Sequence, residues 1–172
     1  MAKVQRKDGS VSHIANLLTS ILLCYPEIGT INLDPKTNLV KFTFYLSSSL
    51  NSGAIGDFKK HMRQSLEAYY YLINKDVEVC TFSFQTQDCF TTLEFQRDVL
   101  TLTQKEVALI IALLKEQFEG DLIANEEEDL LTDDLTLQEE LIGRMLEHTR
   151  EASTNSRLIA LRDEGRVLVF NK

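Results

Sequence analysis

TINLDPKTNLVKFTFYL, residues 30–46, reads as two β-strands with a turn between them. Asp34-Pro35-Lys36-Thr37-Asn38 supplies the turn, because proline presets φ and asparagine tolerates the left-handed region. A four-residue loop sets Leu33 opposite Val40 and Ile31 opposite Phe42. That register gathers Val40, Phe42, Phe44 and Leu46 on one face. A hairpin with one apolar face is marginal alone and needs a covering layer.

The flanking sequence offers that layer. Ser10 is positioned to cap a helix over residues 11–24, with Val11, Ile14, Leu18 and Ile21/Leu22 at helical spacing, and Pro26 ends its course. After the SSSLNSG loop at 47–53, Ile55, Phe58, Met62, Leu66, Tyr69 and Ile73 mark one face of a second helix. A second hairpin follows, with Cys80, Phe82 and Phe84 on one strand and Cys89, Leu93 and Phe95 on the other. Thr86, Gln87 and Asp88 are the expected turn, pairing Phe84 with Cys89 and Cys80 with Leu93. Thr103-x-x-Glu106 is a capping box that opens a third helix through Val107, Ile110, Ile111, Leu114 and Phe118. Gly120 is placed to end it.

Residues 121–140 hold nine acidic and no basic side chains, whereas the first 120 residues are almost balanced. The net charge of −8 therefore belongs to one segment. Thr136-x-x-Glu139 is a further capping box before a helix over 137–151. RLIALRDEGRVLVFNK, residues 157–172, is a hairpin turning at Asp163-Glu164-Gly165. The expected fold class is α+β: an antiparallel sheet built from β-hairpins and covered by helices. Its order is α-ββ-α-ββ-α, then an acidic link, then α-ββ. The expected organisation is a main domain over 1–120, an acidic linker over 121–135, and a helix-plus-hairpin module over 136–172.

Composition narrows the function. A hydrophobic fraction of 44% suits a globular domain that folds without disulfides or metal. No run approaches the ~20 apolar residues of a membrane span, and no secretory leader is legible at the N-terminus. Three cysteines without CxxC spacing point to a reducing compartment, hence the cytoplasm. Nucleic-acid binding is disfavoured, since phosphate contacts need concentrated Lys or Arg.

The chain lacks the Walker, GxGxxG, GxSxG, HExxH and EF-hand signatures. His13, His61 and His148 fall on three separate helices, and no metal or other cofactor is expected. Consecutive Glu126, Glu127, Glu128 and Asp129 would fan around a helix axis, so they read as a hydrated tether. Leu130 and Leu131 among them are candidate contacts for a partner. Glu78 is expected to meet Arg97 across the second hairpin.

Two surfaces remain. Ser52, Gly53, Lys59 and Lys60, at the start of the second helix, could hold a phosphate or carboxylate. Tyr69, Tyr70 and Tyr71 span about 200° of a helix, so they cannot share one core seam. Tyr69 and Tyr70 are partner-binding candidates. So are Leu168 and Phe170, because the C-terminal hairpin must bury its apolar residues against its own sheet or a second copy.

The helix–hairpin–helix–hairpin–helix order over residues 10–119, with its acidic balance, resembles the small dimeric chaperones of type III secretion. The likeness lies in element order and carries over no residue role. The expected function is a non-catalytic cytosolic protein-binding, chaperone-like or regulatory module acting as a homodimer on a protein or peptide partner. The alternative is a small ligand-binding or enzymatic domain using the anion site.

Overall fold

The computed structural model describes residues 2–124, 132–151, 157–164 and 166–171. Four helices and six strands occur among them, in the order α1 (Ala2–Cys24), β1 (Thr30–Asp34), β2 (Leu39–Leu46), α2 (Ser52–Ile73), β3 (Cys80–Thr86), β4 (Thr91–Asp98), α3 (Gln104–Gln117), α4 (Thr132–Glu151), β5 (Leu158–Asp163) and β6 (Arg166–Asn171). The fold is α+β, and the strands form one antiparallel sheet in the order β3-β4-β2-β1-β5-β6.

The first hairpin has the expected register, with Leu33 opposite Val40 and Ile31 opposite Phe42. Asn38 takes φ of 56°, the left-handed conformation that lets the turn close. Ile31, Leu33, Val40, Phe42, Phe44, Leu93, Phe95, Leu158 and Ala160 are buried on the helix-covered face. Asn32, Lys41, Glu94 and Gln96 alternate with them and remain partly exposed on the other. The strand period of two thus sorts the chain into a dry face and an open one.

The second hairpin departs from expectation by four residues. Phe84 pairs with Leu93 and Cys80 with Arg97, and the turn closes with Gln87 N–H donating to Phe90 O at 2.8 Å. An even shift keeps Leu93 and Phe95 on their expected face, so the apolar face survives the wrong pairing, whereas Cys89 falls before β4 and is exposed. Phe82 stacks on Phe95 at 4.5 Å, and Phe58 of α2 packs against Phe82, Phe84 and Phe118.

Two helix starts also differ. α1 begins at Ala2, so Ser10 lies inside the helix and not at its cap. α4 begins at Thr132, which places Thr136 in its second turn. By contrast Thr103 caps α3 as its spacing implies, accepting from Glu106 N–H at 3.2 Å. Gly120, at φ of 86°, turns the chain after α3. Residues 121–123 then lie along β2, with Ser47 N–H bonded to Asp121 O and Ile123 N–H to Tyr45 O.

The C-terminal hairpin pairs within its own chain. β5 lies beside β1, with Ile31 opposite Ala160 and Leu33 opposite Leu158. Leu158, Ala160, Ile142 and Leu146 share a single hydrophobic core with α1 and the first sheet strands. Arg162 of β5 fastens the arrangement: its guanidinium donates to Leu22 O, Tyr25 O and Ile28 O, the carbonyls just at and beyond the end of α1.

Arg97 of β4 is the largest fully buried side chain. Its Nε and Nη2 engage both oxygens of buried Glu106 on α3, at 2.5 and 2.9 Å. Nη1 reaches Asp98 Oδ1, Val79 O and Thr101 Oγ1, and Tyr70 of α2 covers the guanidinium at 5.2 Å. Burial opposes the charge, but Glu106 outweighs it and holds the guanidinium firmly protonated. The pairing expected with Glu78 is not formed; Glu78 is exposed, two residues before β3 begins, and Cys80 stands opposite Arg97 instead. Arg97→Met should cost about 3–5 kcal/mol in urea unfolding, because it strands a buried carboxylate. Arg97→Met with Glu106→Leu should recover much of that loss; a double variant as unstable as the single one would exclude ion pairing as the cause.

Candidate functional site

A concavity lies between α2 and β3, at one edge of the sheet. It is a groove of ≈ 390 Å³ walled by Lys59, Arg63, Leu66, Glu67 and Tyr70 of the helix and by Val77, Cys80, Thr81 and Phe82. Two local features make it. β3 is an edge strand, so among the described residues one side of its backbone has no partner strand. α2 is amphipathic, and burying Phe58, Met62 and Leu66 turns its Lys59–Arg63–Glu67 row toward that edge.

The segment CTFSFQT of β3 contains no proline and no charge. Natural edges are commonly blunted by such residues. Thr81, Ser83 and Gln85 are exposed, while Phe82 and Phe84 are half-buried beneath α2. Lys59 Nζ lies 5.7 Å from the Phe84 ring centroid, so its aliphatic stem crosses the groove. Tyr70 O–H donates to Cys80 Sγ at 3.7 Å. Burial pushes the Tyr70 phenol up and raises the Cys80 thiol too, which leaves both neutral and the groove floor uncharged.

Tyr69 bonds through its hydroxyl to Thr103 Oγ1 at 2.7 Å, fixing α2 to the start of α3. Tyr70 lines the groove, and Tyr71, which the sequence did not favour over its neighbours, is 86% exposed. Leu168 is half-buried and Phe170 is 50% exposed. Both belong to the open face of β5 and β6, where Leu161 sits opposite Leu168 and Ile159 opposite Phe170. Leu130 and Leu131 lie outside the described residues, as do Glu126 to Asp129.

At the start of α2, Ser52 and Gly53 occupy the first turn. Asn51 Oδ1 already accepts from Ala54 N–H at 2.8 Å, and Thr91 Oγ1 accepts from Leu50 N–H at 3.1 Å. Lys59 and Lys60 stand roughly 9–12 Å farther along the helix axis, at ~1.5 Å per residue. The four residues are thus spread along the helix, and Lys59 belongs to the groove.

The sequence also gave no hint that helices α1 and α4 bring His13 and His148 together. Their rings meet edge to face at 5.8 Å, and His13 Nε2 lies 3.3 Å from Met145 O. Among the described residues no group of three or more His, Cys, Asp or Glu side chains could hold a metal ion. No helix there is long and apolar enough to cross a membrane. Compared with protein-family models, curated proteins and solved structures, the chain finds no match.

Behind the groove, Asp98 sits at the start of a tight loop. Burial alone would raise its pKa, but Thr101 O–H, Val79 N–H and the Arg97 guanidinium together hold it below the usual carboxylate value. A depressed folded pKa contributes stability above the unfolded value of about 4, and that stability fades as pH falls through the folded value. The urea midpoint should therefore drop on acidification from about pH 6 to pH 3, and Asp98→Asn should flatten the drop. Parallel pH profiles for the two proteins would show that Asp98 carries none of it.

Proposed function

We propose that the protein is a non-catalytic binding module of the cytosol that accepts an extended segment of another protein along the edge of β3. The observation that carries this reading is an unblunted edge strand running beside a preformed groove. Strand addition uses both parts of such a surface: main-chain hydrogen bonds supply affinity, and pockets for alternate side chains supply selectivity. The charged cluster nearest the groove serves the fold, since Arg97, Glu106 and Asp98 satisfy one another and are buried. Unpaired Cys24, Cys80 and Cys89 suit a reducing compartment.

Cys80 provides a built-in reporter. Short random peptides selected against the protein should slow alkylation of Cys80 and leave exposed Cys89 reacting as before. They should also shift backbone amide resonances of β3 and of α2 from Lys59 to Tyr70. Selected peptides that bind without protecting Cys80, and whose shifts lie elsewhere, would refute an edge site.

A homodimer is the second reading, favoured by the paired apolar side chains Leu161–Leu168 and Ile159–Phe170 on the open face beside the β6 edge. An antiparallel β6–β6 contact about Leu168 would set Arg166 against Phe170 of the second copy, a favourable cation–π geometry. Sedimentation should then report a dimer that Leu168→Lys with Phe170→Lys converts to monomer; a wild-type protein that sediments as a monomer at high concentration removes this reading.

A further inference from the structure

Charge is ordered along the groove, and the order specifies a ligand; the inference rests on the β3-edge reading above. α2 crosses antiparallel to β3, because Lys59 lies over Phe84 while Tyr70 meets Cys80. Lys59 and Arg63 are separated by about 6 Å along the helix, at ~1.5 Å per residue. Alternate residues of a β-strand are separated by about 6.8 Å. One step along the basic row therefore matches one side-chain repeat of a guest strand.

Every pairing in the sheet is antiparallel, and that mode is the more favourable one for an added strand. A guest antiparallel to β3 runs in the direction of α2. Its residues opposite Phe84, Phe82 and Cys80 face the groove in that order. The first meets Lys59, the second meets Arg63, and the third enters the part walled by Leu66, Tyr70 and Val77. Glu67 at this last position repels a third acid.

We infer that the partner presents an extended segment of the pattern acid-x-acid-x-apolar, read from N to C. The net charge of −8 disfavours an acidic ligand at long range, so selectivity comes from the two basic side chains at contact distance, within about one Debye length. An acidic tract with no apolar residue after it gains charge contacts but leaves the Leu66–Tyr70–Val77 end of the groove unfilled and sets a carboxylate against Glu67.

The test uses labelled, end-blocked Thr-Glu-Thr-Glu-Thr-Leu-Thr and its reversed-order counterpart Thr-Leu-Thr-Glu-Thr-Glu-Thr, titrated with the full chain by fluorescence anisotropy. The forward peptide should bind at least about tenfold more tightly, a difference of ~1.4 kcal/mol. Lys59→Glu with Arg63→Glu, both outside the core, should reverse the preference toward Thr-Lys-Thr-Lys-Thr-Leu-Thr, with circular dichroism confirming the fold. Equal affinity for forward and reversed peptides, or no change of preference in the charge-swapped protein, overturns the inference. If selected random peptides protect Cys80 while the forward peptide does not bind, the edge site stands and the sequence pattern falls. If neither protects Cys80, both fall together.

Discussion

A guanidinium with no access to water sets the terms for this half of the molecule. Arg97 is inserted where an apolar residue would continue the Leu93–Phe95 face, and its charge must be answered within the core. Glu106 answers from α3, Asp98 from the next residue, and Tyr70 covers the remaining face from α2. Two helices, α3 and α2, are thereby fixed relative to β4 by directional contacts and not by greasy contact alone. Hydrophobic packing tolerates sliding by a fraction of a turn, whereas a bidentate ion pair does not. The width of the α2–β3 groove follows, because Tyr70 forms both the lid of Arg97 and one groove wall.

The opposite half is fixed by a different device. β5 completes the core over β1, and Arg162 reaches across to carbonyls at and just beyond the end of α1. Nearby, Gln104 donates to Tyr25 at 2.7 Å, and Tyr25 contacts Glu139, so α1, α3 and α4 meet around one phenol. Burial pushes that phenol well up and the adjoining Cys24 thiol to about 11. Both stay neutral, as a dry junction of three helices requires. The apolar residues of the last hairpin are consequently divided: Leu158 and Ala160 complete the protein's own core, and Phe170 is left at the surface.

Local signals were legible in the sequence wherever a single element determined them. The Asp34–Asn38 turn, the 31/42 and 33/40 pairings and the Thr103 cap all depend on residues close along the chain. The second hairpin was harder because its face pattern survives any even shift, and only the turn decides between 84/89 and 84/93. Thr86, Gln87 and Asp88 suggested an earlier turn than the one formed at Gln87–Phe90. Glu106 was legible as a capping residue, yet its carboxylate serves Arg97, a partner nine positions back that only β4–α3 packing supplies. The groove was invisible for the same reason: Lys59 and Arg63 look like an ordinary solvated helix face until β3 is known to be the strand beside them.

The two edges of the sheet differ in how well they resist another strand. β6 begins with Arg166, and its partner strand β5 ends in Arg162 and Asp163, so charge guards one end of that edge. β3 has only hydroxyl and amide side chains on its open face, and its own charges, Asp76 and Glu78, lie before the strand begins. An unguarded edge is an aggregation hazard that proteins usually suppress. On the proposed reading α2 supplies the missing selectivity with Lys59 and Arg63 beside the edge, so that a guest strand would have to match its side chains to them before using the backbone. A sheet end that is permissive in its main chain and demanding in its flanking helix favours a chosen guest over indiscriminate pairing.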